Sequence, residues 1–139
     1  MKHVAYRSSG DYDIIEKAKE LAGYTLRITS NEKNFPKRYR YSVVNKIQEK
    51  ILDILDNLVM AYELYPNSKM EFDKRILHQK EARAGLRSLM LMIEVAANTF
   101  DIKASTFAFW TDKTVELRDH VSGWIKADVK RFEKYRGAD

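Results

Sequence analysis

The sequence predicts an all-α fold, an antiparallel up-down-up-down four-helix bundle over residues 11–136. Three observations predict it. Apolar residues return every three or four positions in four separate stretches. Only 5 Gly and 2 Pro occur in 139 residues, too few for the turns of an all-β chain. The links between the stretches are short, which forces neighbouring helices antiparallel. A chain of this length makes one domain and buries roughly 65–70% of its unfolded surface, enough for a single core.

Residues 1–10 read as a flexible N-terminal tail ending in the turn-prone Ser8-Ser9-Gly10. The first helix should start near Asp11 or Asp13, either of which can cap free backbone amides. It carries Ile14, Ala18, Leu21, Thr25 and Ile28 on one face and should end near Asn31 to Asn34. The second helix starts between Pro36, a residue suited to a first helical position, and Ser42, a possible cap. Val44, Ile47, Ile51, Ile54, Leu58, Tyr62 and Tyr65 give it the strongest periodic pattern in the chain. Tyr65-Pro66-Asn67-Ser68 stops it, since proline disfavours helix at the residue before it.

The third helix should run from about Lys69 to Phe100, with a stripe of Phe72, Ile76, Gln79, Arg83, Leu86, Met90, Ile93, Ala97 and Phe100. Ser105 is a plausible cap for the fourth. Phe107, Trp110, Thr114, Leu117, Val121, Trp124, Ile125 and Phe132 recur along that helix, which should end before Gly137. Leu89-Met90-Leu91-Met92-Ile93 is apolar all round, more than one buried stripe requires. It implies either self-association or a broader core within one chain.

Catalytic chemistry finds little to stand on. Without cysteine there is no disulfide, thiolate metal site or cysteine nucleophile. His3, His78 and His120 fall in different stretches, no Glu-x-x-His pair occurs, and no glycine-rich phosphate loop is present. The expectation is a protein that is not an enzyme and holds neither metal nor cofactor. The N-terminus lacks a signal-peptide run, and no stretch approaches the ~18 apolar residues of a membrane span. A cytoplasmic protein without membrane contact is expected.

The charge pattern is more informative. The net charge is +5, and residues 33–50 account for it: Lys33, Lys37, Arg38, Arg40, Lys46 and Lys50 face only Glu49. Within this segment, Phe35-Pro36-Lys37-Arg38-Tyr39-Arg40-Tyr41 alternates rings with cations. Cations neutralise phosphates, and aromatic faces stack on unpaired bases. A solvated helix start with its aromatics turned inward would read the same. Cations at a helix N-terminus are disfavoured by about 0.3–1 kcal/mol each, a cost a polyanion would offset. It also vanishes if they precede the helix and point into water.

A second group, Lys126, Lys130, Arg131, Lys134 and Arg136, lies near the last helix's end, where cations suit the dipole. In an antiparallel bundle it sits at the opposite end from Lys37–Arg40. Arg83 falls on an apolar stripe and Arg87 follows Leu86. Each must extend its head to water, pair with a carboxylate, or face a channel shared between subunits. The expected nucleic-acid-binding set is Lys37, Arg38, Arg40, Lys46, Arg83, Arg87, Lys126, Lys130 and Arg131.

Phe35-Pro36-Lys37-Arg38 with Lys46-Ile47-Gln48 downstream, Ala84-Gly85-Leu86-Arg87, and Ser122-Gly123-Trp124-Ile125-Lys126 occur in this order. Together they resemble the accessory variability proteins of diversity-generating retroelements, within a wider set of bacterial four-helix proteins, over roughly residues 11–135. The resemblance implies a homopentamer that binds template RNA or cDNA and a reverse transcriptase, supporting mutagenic reverse transcription. It places Lys37, Arg38 and Arg87 at basic positions of the family, and Lys126, Lys130 and Arg131 after the Trp-Ile motif, where the family is also basic. The four-helix proteins encoded in intervening sequences of ribosomal RNA genes look similar too. That relation, or a protein-interaction bundle without a reverse-transcription role, is the alternative.

Overall fold

The computed structural model describes residues 9–137, which form α1 (Ser9–Ser30), α2 (Asn45–Glu63), α3 (Lys69–Thr99) and α4 (Ala104–Arg131). No strand occurs among the described residues. α1 packs on α2 and α4, and α3 packs on the same two, so the four helices enclose one core. That core is built from Ala18 and Leu21 of α1, Ile47, Ile51, Ile54 and Leu58 of α2, Leu86, Leu89 and Ile93 of α3, and Trp110, Leu117 and Val121 of α4. No helix among the described residues is long and apolar enough to cross a membrane.

Several local expectations need correction. α1 begins at Ser9, so residues 9 and 10 belong to the helix; the rest of the expected tail lies outside the described residues. Asp11 does not sit at the helix start as a cap but is buried within the first turn. Tyr65 falls in the link after α2, as the proline at 66 dictates. Ser68 caps α3: its Oγ accepts from the Glu71 amide at 3.2 Å, while Glu71 Oε1 accepts from the Asn67 amide at 2.7 Å. α4 starts one residue before Ser105, after Lys103, without a side-chain cap. After α4 a 3₁₀ turn over Glu133–Tyr135 leads to Gly137, whose φ of 69° is the left-handed value that suits glycine.

The largest correction concerns the register of α3. Its buried stripe is Phe72, Arg75, Gln79, Ala82, Leu86, Leu89, Ile93 and Ala96. Arg83 and Met90 are only half-buried, one position off that stripe. The arginine inside the core is Arg75, fully shielded from water. Its Nε donates to Asp128 Oδ2 at 2.6 Å, and its Nη2 to Asp11 Oδ2 at 3.3 Å. Nη1 donates to the Ala61 and Leu64 carbonyls at the end of α2, at 3.0 and 3.3 Å. Arg131 bonds Asp11 and Asp128 from the edge, and Gln79 donates to Asp128 at 2.7 Å. Tyr65, Trp124 and Phe132 surround the Arg75 guanidinium with their rings. Among the described residues two cations therefore meet two carboxylates, and a group from every helix enters the cluster. Burial is tolerable because the guanidinium is matched in charge and its Nε, Nη1 and Nη2 all donate hydrogen bonds, although Gln79 Oε1 and the Trp124 indole N–H beside it are left without a partner among those residues.

Candidate nucleic-acid interface

The basic segment is held by what precedes it. In the last turn of α1, Thr29 Oγ1 donates to the Thr25 carbonyl at 2.8 Å. Asn31 then turns the chain: its carbonyl accepts from the Asn34 and Phe35 amides, and its side chain accepts from the Lys33 amide. Phe35 drops into the core, its ring 5.3 Å from Phe100 and 6.2 Å from Trp110. Trp110 in turn donates its indole N–H to Thr25 Oγ1 at 2.9 Å. With Phe35 anchored, Pro36 (φ −54°, ψ 141°) redirects the chain outward. A 3₁₀ turn (Lys37–Tyr39) and a π-helical turn (Arg40–Val44) then lead into α2.

Lys37, Arg38 and Arg40 consequently lie ahead of α2 and are exposed. No carboxylate lies within ion-pair distance of Lys33, Lys37, Arg38, Arg40, Lys46 or Lys50 among the described residues. Arg38 instead lies over the Tyr39 ring, 5.0 Å from its centre, and that ring packs on Phe100 at 4.8 Å. The ring–cation alternation thus splits by role. Phe35 and Tyr39 pin the segment to the bundle, while Tyr41, 80% exposed, is free to stack.

The nine expected residues do not form one patch. Lys37, Arg38 and Arg40 cluster at the α1–α2 junction, and Lys46 begins a groove between α2 and α3 with Ser88, Leu91 and Val95. Arg83 and Arg87 share a flank of α3 with Met90, whose sulfur meets Arg118 of α4 at 3.7 Å. Lys126 and Lys130 are exposed near the end of α4, beside the start of α1 and away from the junction. Arg131 is committed to Asp11 and Asp128, so its charge is already compensated.

Residues outside the expected binding set complete the junction. Thr29, Ser30, Glu32, Asn45 and Gln48 join Phe35, Lys37 and Arg40 around a cleft of about 270 Å³. Gln48 Nε2 donates to Thr29 Oγ1 at 2.9 Å, tying α2 to the end of α1. A half-buried amide beside the apolar stripe of α2 was the available sign. Among the described residues, no group of three or more His, Asp or Glu is placed to hold a metal ion.

No protein-family model, curated protein or solved structure matches this chain.

Proposed function

We propose that this protein is a non-catalytic accessory factor that binds single-stranded RNA or cDNA and a reverse transcriptase, supporting mutagenic reverse transcription in a diversity-generating retroelement. The observation that carries it is the set of cations at the α1–α2 junction, exposed and unmatched by carboxylates, beside an outward-facing tyrosine. Such cations neutralise phosphates and release counterions. The resemblance noted in the sequence supplies the retroelement setting.

The proposed topology is antiparallel up-down-up-down. In its support, the Arg75 cluster gathers the first turn of α1, the end of α2, the start of α3 and the end of α4. The proposed assembly is a homo-oligomer, a pentamer by resemblance. Met70, Leu77 and Leu91, 70%, 54% and 47% exposed, recur on α3 with Ala84 at seven-residue spacing, opposite the buried stripe. Val95 extends this row. An exposed apolar row at that period also favours a second reading, a protein-interaction bundle with no nucleic-acid role.

Binding of single-stranded RNA and DNA, measured across salt concentrations beside an unrelated protein of equal charge, separates the two. Affinity should fall steeply with salt. Changing Lys37, Arg38 and Arg40 to Glu should abolish binding with helicity intact. Replacing the three with Gln should lower the log–log salt slope by ~2. Wild-type binding no stronger than the control's would remove the nucleic-acid role.

A further inference from the structure

We infer that the cleft at the α1–α2 junction is a base pocket, which takes one unpaired nucleobase of a single strand whose phosphates lie on Lys37 and Arg40. This rests on the nucleic-acid function proposed above and adds how the strand is held. At about 270 Å³ the cleft falls below the ~300–1,000 Å³ of pockets for drug-sized ligands, a scale suited to one heteroaromatic group.

Its walls have the chemistry of a base site. Phe35, Pro36 and Val44 contribute apolar surface, and Thr29, Ser30, Asn45 and Gln48 contribute hydrogen-bonding side chains. The Gln48 amide is oriented in advance. Its Nε2 donates to Thr29 Oγ1, whose own proton goes to the Thr25 carbonyl. Gln48 Oε1 is left to accept from a ligand. The Asn45 side chain makes no hydrogen bond among the described residues and offers both a donor and an acceptor. Paired amide donors and acceptors match the edges of unstacked bases.

Two features separate a base from a bare phosphate. Glu32, an exposed residue, lines the same cleft, so an anion held there would have a carboxylate for a neighbour, whereas the amino group of a base would find an acceptor. Lys37 and Arg40 also line the cleft and are both exposed, so their charged ends can reach phosphates at its mouth while the base occupies the interior. The π-helical turn between them and Asn45 brings Arg40, Val44 and Gln48 to one side, and such turns are frequent at functional sites.

The test compares two single strands of about 12 nucleotides, one of mixed-sequence RNA and one abasic along its whole length, by fluorescence anisotropy at fixed salt. The wild-type protein should prefer the base-bearing strand about tenfold. Asn45→Ala and Gln48→Leu should each erase most of that preference while leaving abasic binding and its salt slope unchanged. Should Gln48→Leu loosen the fold, as circular dichroism would reveal, Asn45→Ala decides, since that side chain makes no hydrogen bond among the described residues. Equal wild-type binding of the two strands overturns the pocket and leaves the nucleic-acid role standing, as does preference retained in Asn45→Ala. Binding of neither strand above a charge-matched control overturns both.

Discussion

Arg75 has no route to water, and among the described residues its charge is balanced by Asp11 and Asp128. Arg75→Met therefore removes the fully buried cation that faces both carboxylates and leaves Arg131 to bond them from the edge of the core. The expected loss is about 3–5 kcal/mol, read as a lower urea midpoint. Replacing Arg75, Asp11 and Asp128 together by apolar residues of similar volume should recover much of it. The position of Arg75 was open to the sequence, three residues after Phe72 and four before Gln79. Ile76 satisfies nearly the same spacing, however, and a rule that places apolar residues inside chooses it. The partners were not legible, because nothing local in a chain indicates that residues 11, 75 and 128 meet.

α2 was the most legible helix and α3 the least, for one physical reason. The buried residues of α2, Ile47, Ile51, Ile54, Leu58 and Ala61, are all apolar and lie on one face. α3 has apolar residues on two opposite faces, while its core face carries Arg75 and Gln79. The two rows blur each other. Where α2 and α3 meet, a Cβ added at Gly85 would lie 2.8 Å from Ile54 Cγ1, near the branch point of a fully packed side chain. Gly85→Ala gains about 1 kcal/mol of helix propensity but meets an overpacking cost of about 1–3 kcal/mol, so a net loss is expected. At Gly123 an added Cβ meets nothing within 4 Å, and Gly123→Ala should stabilise by about 0.5–1 kcal/mol. Thermal unfolding of the pair checks both signs.

α1 and α4 are also joined at the surface, where Lys17 Nζ lies 3.2 Å from Glu116 Oε1 and holds that carboxyl below the usual carboxylate range. A depressed acid stabilises the fold above its unfolded pKa and stops doing so as pH falls through its folded one. Lys17→Met should thus be slightly less stable than wild type at neutral pH, and the two should converge on acidification. Paired unfolding curves at several pH values would show it.

At the scale of the whole molecule, the concentration of unmatched charge at residues 33–50 was legible, because the run of cations stands against one acid. That Tyr39 packs inward while Tyr41 faces water was not, since it depends on where Phe100 lies. The exposed α3 row predicts self-association: Leu77→Glu with Leu91→Glu should reduce the native mass to that of one chain without loss of helicity. Unchanged mass would exclude that row from the interface. The Arg75 cluster also bears on the order of events as the chain assembles. α2 and α3 can meet across a short link, whereas Arg75 reaches Asp11 over 64 residues and Asp128 over 53. Contacts that close such long loops come late on the route to the native state. The cluster then acts as a latch fastened after the barrier is crossed, so that Arg75→Met hastens opening while leaving the rate of folding nearly untouched. Stopped-flow chevrons of the two proteins should share a folding limb and part along the unfolding one.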